Sequence, residues 1–258
     1  MMNALLNFQA QQEERFLNTI QSANFEDIFQ ANVDFFQSHL QARFYYSNFS
    51  ARTARAKNPL HQYDDLVTYM ALYGNAHYQR IATVIDQANI PLQFQVNKNQ
   101  KVCVIDYGCG QGIATLAFID QLIEANIQIP QLKVVLIEPS AIALNRAIHW
   151  IEKKAKQADL ELELITYCCT FDELQKDTLV QHIDQALCFH LLSNILDMYS
   201  SGAFSLANLV QIMKNPTSAS MIIAVSPNFY TGNQGFDALH RLLNPCDLIL
   251  NTTSRIEV

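Results

Sequence analysis

The sequence predicts an α/β protein, a doubly wound and mostly parallel sheet that follows an N-terminal helical segment. After residue 100, short apolar segments alternate with segments of helical periodicity, the order expected when helices cross between parallel strands. The first apolar segment, residues 102–106, leads into glycines at every second position, Gly108, Gly110 and Gly112. Before residue 100, apolar residues recur at three- and four-residue spacing, which is typical of amphipathic helices.

The predicted elements divide the chain near residue 100. Residues 1–100 form the N-terminal helical segment or lid, and residues 101–258 form the α/β domain. Residues 89–100, with Pro91 and several amides, are predicted to connect the two parts. Helices are expected over 13–21, 25–42 and 66–87. In the α/β domain, strands are expected over 102–106, 132–138, 160–168, 185–190, 220–226 and 247–250. Helices are expected between them, over 113–126, 141–157, 172–182, 206–214 and 236–243.

Composition restricts the class of protein. The chain has 258 residues and is 50% hydrophobic, which is enough to bury a substantial core. Its apolar runs are far shorter than the roughly 20 residues that a membrane span needs, and its start lacks the features of a signal peptide. Six cysteines occur without a C-x-x-C pair, so we expect reduced thiols in a cytoplasmic protein and no metal site. A net charge of −7 provides no general attraction to nucleic acid.

The glycine-rich segment predicts a nucleotide-type cofactor site. Glycines after a buried strand allow a tight turn and let backbone N–H groups approach a ligand at the start of the next helix. A dinucleotide fingerprint needs G-x-G-x-x-G, whereas this chain has D-x-G-x-G-x-G, with its third glycine one place too early. The next predicted strand ends in a second acidic residue, Glu138. The alternative is an ordinary glycine turn in some other α/β fold.

From Asp106 to Glu138 the sequence resembles the class I S-adenosylmethionine-dependent methyltransferases, and the resemblance covers roughly residues 100–258. It implies a Rossmann-like methyltransferase fold with S-adenosyl-L-methionine as cofactor. It also implies that the loop from Asp106 to Gly112 wraps the methionine part of the cofactor and that Glu138 binds both ribose hydroxyls. The cofactor-binding residues expected from it are Asp106, Gly108, Cys109, Gly110, Gly112, Glu138, Pro139, Thr170, Phe171 and His190.

The end of the third strand carries a less regular motif. The family usually has an Asp here that binds the adenine amino group, and Thr170 takes its position with Phe171 following. A hydroxyl can accept one such hydrogen bond, and Asp172 could do so instead. Alternatively, Thr170 caps a helix that begins at Phe171, and Glu173 completes a capping box.

The end of the fourth strand, residues 186–197, indicates where the acceptor should lie. It lacks the D/N-P-P-Y/F motif of amino methyltransferases of nucleic acid. It also lacks the Pro-Cys pair that supplies the nucleophile in cytosine-C5 methyltransferases, because the only such pair in the chain, at Cys246, lies far downstream. His190 could act as a general base for an O–H or N–H acceptor, or could simply shape the pocket. Ser193 and Asn194 could orient a polar acceptor, and Asn194 is a second candidate for a catalytic role.

Two further groups of residues could contact the acceptor. Tyr69, Tyr73, His77 and Arg80 share one helical face, where Tyr73 and His77 could line a substrate pocket or could belong to an aromatic core stripe. A basic segment with interleaved aromatics could hold RNA or a phosphorylated substrate, although a solvated loop is the favoured interpretation. Its cations are Arg43, Arg52, Arg55 and Lys57.

The C-terminus leaves little chain for the last strand that the family normally has. Residues 247–250 can form a sixth strand, and only residues 251–258 remain for a seventh. Either the hairpin is very short or the chain is a fragment of a longer protein.

These observations predict a methyltransferase that acts on an O or N nucleophile, with a small molecule as the favoured acceptor. The alternatives are an RNA or protein methyltransferase, or a degenerate cofactor-binding or interaction domain of a larger protein. Nucleic acid is not favoured as a partner, no membrane association is expected, and the oligomeric state and the acceptor are not specified by the sequence.

Overall fold

A single parallel sheet of five strands forms the centre of the protein. The computed structural model describes residues 2–54, 57–88, 101–127, 131–183, 186–214, 219–226 and 230–243. The strands lie in the order β3-β2-β1-β4-β5, and each neighbouring pair is parallel. They are β1 Val102–Tyr107, β2 Leu132–Ile137, β3 Leu162–Tyr167, β4 Leu187–Ser193 and β5 Ala219–Val225. The strand order reverses between β1 and β4, and in such sheets ligands bind at the carboxyl edge beside this switch point.

Helices cover both faces of the sheet. Before β1 lie α1 Met2–Thr19, α2 Phe25–Phe35, α3 Tyr46–Thr53, α4 Tyr63–Tyr69 and α5 Asn75–Gln87. After β1 follow α6 Ile113–Glu124, α7 Ala141–Gln157, α8 Lys176–Ile183, α9 Leu206–Met213 and α10 Tyr230–Leu243. A π-helical turn, Phe36–Leu40, extends α2 into a 3-10 turn, Gln41–Arg43; a second π-helical turn, Met70–Gly74, joins α4 to α5; and a 3-10 helix, Leu196–Ser201, follows β4. The predicted α/β class, with a parallel sheet and N-terminal helices, is therefore confirmed.

Successive residues of the central strands belong alternately to two apolar cores, one on each face of the sheet. Val104 and Phe189 belong to the first core, whereas Ile105 and Cys188 belong to the second. The first core also contains Ile28 and Ile81 of the N-terminal helices, and Phe16 of α1 lies at its edge. The helical segment predicted over residues 1–100 thus packs on the sheet through a continuous core, although the predicted connector over 89–100 lies outside the described residues.

A buried ion pair also joins the N-terminal helices to this core. Lys154 of α7 pairs with Asp120 of α6, and both are less than a tenth exposed. The Tyr78 hydroxyl of α5 donates to the other carboxylate oxygen of Asp120 at 2.8 Å, and Lys154 donates to Asn24 before α2 at 3.0 Å. Each charge therefore has a partner from the N-terminal helices, which offsets part of the cost of burying it.

Several predicted element boundaries differ from the structure. The first helix, expected over 13–21, is Met2–Thr19, and the last described helix, expected over 236–243, begins at Tyr230. The fourth strand was expected over 185–190 but runs to Ser193, because His190, Leu191 and Leu192 continue to pair with β5. His190 is therefore a mid-strand residue rather than one at a strand end. The helix expected over 172–182 begins only at Lys176, since residues 171–173 form a turn. The sixth strand expected over 247–250, with Cys246 before it, lies outside the described residues.

Among the described residues, none of the helices is both long and apolar enough to cross a membrane.

Candidate cofactor site

The glycine loop between β1 and α6 adopts a conformation that favours glycine at three positions. Gly108, Gly110 and Gly112 have φ angles of 64°, 53° and 81°. A Cβ atom on Gly112 would lie 3.1 Å from Cα of Ala147, so this glycine permits close contact between α6 and α7. A Cβ atom on Gly110 would meet nothing within 4 Å, because this residue faces open space. The loop thus packs tightly at one end and leaves its backbone accessible at Gly110.

Glu138 follows β2 directly, and its carboxylate is fixed by backbone donors. Oε2 accepts from the Gly110 N–H at 3.0 Å, and Oε1 accepts from the Ser140 N–H at 2.9 Å. Burial raises the pKa of Glu138, and the two backbone hydrogen bonds oppose that shift. Each carboxylate oxygen retains capacity to accept one further hydrogen bond.

A cavity of about 190 Å³ opens beside this carboxylate at the carboxyl edge of the sheet. It is smaller than the roughly 300–1,000 Å³ of most ligand pockets. The N-terminal part of the chain covers it through the residues from Lys57 to Leu60 and through Tyr69. Eight residues predicted for the site line it, namely Gly108, Gly110, Glu138, Pro139, Thr170, Phe171, Ser193 and Asn194.

Three predicted loop residues lie behind the cavity rather than in its lining: Asp106, Cys109 and Gly112. Asp106 is fully buried and accepts a hydrogen bond from the Thr115 hydroxyl at 2.8 Å. Its second oxygen, Oδ1, has no hydrogen-bond partner in the described part of the chain, and burial raises the pKa of Asp106 to about 7. Burial also raises the pKa of the Cys109 thiol, which makes it unreactive as a nucleophile.

His190 is enclosed in the second core and does not line the cavity. Its Nδ1 atom lies 3.0 Å from the Tyr107 hydroxyl, and the residue is 0% exposed. Burial lowers its pKa to about 3, so the imidazole is neutral at physiological pH. Because β4 continues past it, Ser193 and Asn194 reach the carboxyl edge in its place. The structure therefore does not bring His190 to the predicted cofactor and acceptor positions.

The aromatic face of α4 and α5 approaches the cavity through Tyr69. Tyr73 and His77 do not line the cavity; they stand behind Tyr69, with ring centroids 5.2 Å and 5.5 Å from its ring. Tyr73 lies in the π-helical turn, and its ring still contacts both Tyr69 and His77, so the three side chains share one face as predicted. Burial and the nearby Arg80 lower the pKa of His77 to about 4.

Asn194 is held at the cavity by its neighbours. Its backbone has a φ of 59°, a left-handed conformation that Asn tolerates better than most residues. Its amide nitrogen donates to the Ser193 hydroxyl at 3.0 Å, and its amide oxygen lies 3.5 Å from Nη1 of Arg80. Arg80 thus joins the predicted aromatic face to the end of β4.

Thr170 and Phe171 form the wall after β3. The backbone N–H and the hydroxyl of Thr170 both donate to Glu173 Oε2, each at 2.8 Å. This is one half of the predicted capping box, but no helix begins there. The hydroxyl oxygen can still accept a hydrogen bond. Phe171 packs edge-to-face on Phe204 at 5.0 Å, which makes this wall apolar.

The predicted basic segment is neutralised by acidic partners. Arg43 pairs with Asp64 at 3.0 Å, and Lys57 lies 3.8 Å from Asp197. Arg52 makes two hydrogen bonds to the carboxylate of Asp65. Three of the four predicted cations thus have an acidic neighbour, which lowers the positive potential that a phosphate backbone would meet. Arg55 lies outside the described residues.

Several lining residues were not predicted. Leu60, Gln111, Met198 and Phe204 reach the cavity from four separate segments. Only Gln111 had a local signal, because it stands between two glycines of the motif.

No protein-family profile and no curated protein sequence matches this chain. Among solved structures it resembles a plantazolicin methyltransferase in complex with S-adenosylhomocysteine, with 16% identity over 82% of this chain and 60% of that chain, and a TM-score of 0.31. A methyltransferase from Leishmania major matches at 13% identity over 70% of this chain and 58% of that one, with a TM-score of 0.34.

A third similar structure is a putative class I methyltransferase from Listeria monocytogenes, with 12% identity over 87% of this chain and 78% of that one, and a TM-score of 0.38. The chain spans about 60% of the length of the plantazolicin enzyme. The fold is defined by the observed sheet, because TM-scores of 0.31 to 0.38 are too low to define it. The solved structures that the chain resembles are S-adenosylmethionine-dependent methyltransferases, and its own five-stranded parallel sheet is Rossmann-like.

Proposed function

We propose that this chain binds S-adenosyl-L-methionine and transfers its methyl group to an O or N nucleophile of an acceptor. One observation carries the proposal: the Glu138 carboxylate is held at the cavity by the N–H of Gly110, within the glycine loop at the switch point of the sheet. A fixed carboxylate with spare acceptor capacity fits two adjacent ribose hydroxyls.

The other cavity residues support the same placement. The accessible backbone at Gly108 and Gly110 suits the methionine part of the cofactor. At the opposite wall, the Thr170 hydroxyl oxygen can accept from the adenine amino group, and Phe171 offers an apolar surface to the ring. Since the cavity is small, cofactor binding should displace the covering residues 57–60.

At the acceptor end, the described residues provide orientation rather than an evident base. Ser193, Asn194 and the Tyr69 hydroxyl are the polar groups beside the proposed methyl position. The sulfonium methyl is already strongly electrophilic, so in-line positioning of the acceptor can supply much of the rate enhancement. A small molecule remains the favoured acceptor, because the cavity is small and Lys57, a cation in its lining, lies 3.8 Å from Asp197.

One observation favours the alternative of a cofactor-binding domain without transfer activity. His190, the predicted base, is sealed inside the second core. Incubation with radiolabelled S-adenosylmethionine and separate metabolite, RNA and protein fractions distinguishes the alternatives. Label in metabolites supports the proposal, label in RNA or protein changes the acceptor class, and binding without any transfer supports the non-catalytic domain.

Cofactor identity is tested by calorimetry with S-adenosylhomocysteine and NAD. We expect binding of S-adenosylhomocysteine only, and binding of NAD alone would overturn the assignment. In Glu138→Ala, losing hydrogen bonds worth roughly 1.5–3 kcal/mol each should weaken S-adenosylhomocysteine binding at least ~10-fold. Glu152→Ala, at an exposed position on α7, is the control. A Glu138→Ala variant that is folded and binds like the parent would remove Glu138 from the site.

A further inference from the structure

A buried arginine connects the first helix of the chain to the glycine loop. Arg146 of α7 is 1% exposed, and its Nε and Nη2 atoms donate to the two carboxylate oxygens of Glu13 in α1. Nη1 donates to Asn32 Oδ1 in α2 at 3.0 Å and to Gln111 Oε1 in the glycine loop at 2.9 Å. Four hydrogen bonds from one guanidinium thus reach three separate parts of the fold.

Gln111 is held from its other side as well. Its Nε2 atom donates to the Leu66 carbonyl of α4 at 3.0 Å, so both ends of this amide are fixed. The residue is 3% exposed and lies between Gly110 and Gly112. Glycines lose more conformational freedom on ordering than other residues, so the loop depends on this side chain to restrict it.

We infer that Glu13 and Arg146 are positioning residues for the cofactor loop. The Glu13 carboxylate orients the Arg146 guanidinium, which fixes Gln111. That side chain sets the Gly110 N–H toward Glu138. The N-terminal helix therefore shapes the cavity without touching it. The effect on cofactor affinity rests on the proposed function, whereas the effect on loop order does not.

A second buried ion pair, Lys154–Asp120, provides a matched comparison for the Glu13–Arg146 pair. This pair is also bonded to the N-terminal helices, but among the described residues neither member has a hydrogen bond or ion pair to the glycine loop. Breaking either pair should destabilise the protein, since a charge that loses its buried partner is costly. Only the Glu13–Arg146 pair should control the loop.

The test uses hydrogen exchange of the loop amides together with calorimetry. The N–H groups of Cys109, Gly110 and Gly112 are bonded to Ile137 O, Glu138 Oε2 and Cys109 O, so they report the order of the loop. In Glu13→Gln we expect faster exchange over residues 106–112 and S-adenosylhomocysteine binding weaker by about fivefold or more. In Lys154→Met, thermal stability should fall while loop exchange and affinity stay at parent values.

Asn32→Ala, which removes one acceptor of Arg146, provides the same test if Glu13→Gln fails to fold. Equal loop exchange in the parent, Glu13→Gln and Asn32→Ala would refute the inference, as would the same loop effect in Lys154→Met. If the parent itself does not bind S-adenosylhomocysteine, the proposed function fails, and the exchange measurements still decide the role of the Glu13–Arg146 pair.

Discussion

Replacing Asp106 with Asn should change how stability depends on pH. Asp106 is fully buried, and burial raises its pKa from 3.8 to about 7. The folded state therefore holds this proton more tightly than the unfolded state, so stability is complete below pH ~4 and is lost as pH rises through ~7. At 1.36 kcal/mol per pH unit, this shift corresponds to a loss on the order of 4 kcal/mol. Asn cannot ionise, and its amide oxygen can still accept from Thr115.

Urea unfolding of both proteins from pH 4 to pH 8.5 measures this effect. The free energy of unfolding of Asp106→Asn minus that of the parent should be smallest at pH 4 and should rise by a few kcal/mol by pH 8. Glu138 also faces Asp106 and raises its pKa, but it is present in both proteins. The exposed Asp86→Asn is the control, with curves parallel to the parent. Parallel curves for Asp106→Asn itself would refute the reasoning.

Three further predictions follow from the site. Gly110→Ala and Gly112→Ala both place a side chain at a positive φ, which costs roughly 1–2 kcal/mol; denaturation should show an extra loss only for Gly112→Ala, which also meets Ala147. His190, with its pKa lowered to about 3, should show no titration of its ring signals by NMR above pH 5; a midpoint near 6.5 would show that it is not enclosed. Tyr69→Phe should reduce methyl transfer and leave S-adenosylhomocysteine affinity unchanged in calorimetry, and an equal loss of both would place Tyr69 at the cofactor.

Local patterns were sufficient to predict the sheet and the glycine loop. The strands β1 and β2 are mostly apolar, and the loop glycines directly follow β1, so local sequence is enough to predict them. Glu138 was predictable for the same reason, because it comes directly after a strand whose carboxyl end lies beside that of β1. The parallel register of β1 and β2 brings these two strand ends to the same edge of the sheet.

The residues that depend on longer-range packing were not predictable. Pairing with β5 extends β4 past His190 to Ser193, and although the strand over 220–226 was predicted, nothing near His190 shows how far this pairing continues. Arg146 is a charged residue with no local signal for burial, and its partners Glu13 and Asn32 lie 133 and 114 positions earlier in the chain.

The charge distribution around the cavity and the size of the cavity both bear on the acceptor proposed above. Arg43, Arg52 and Lys57 would form a phosphate-binding surface if they were unpaired, but each faces an aspartate. The neighbouring exposed side chains are instead phenols, with Tyr45 at 67% and Tyr46 at 48% exposure. Aromatic rings and hydroxyls recognise flat or hydrogen-bonding groups without counterion release. This part of the surface suits the proposed uncharged or weakly charged acceptor better than a polyanion, as does a small cavity with Tyr69 and Asn194 in its lining.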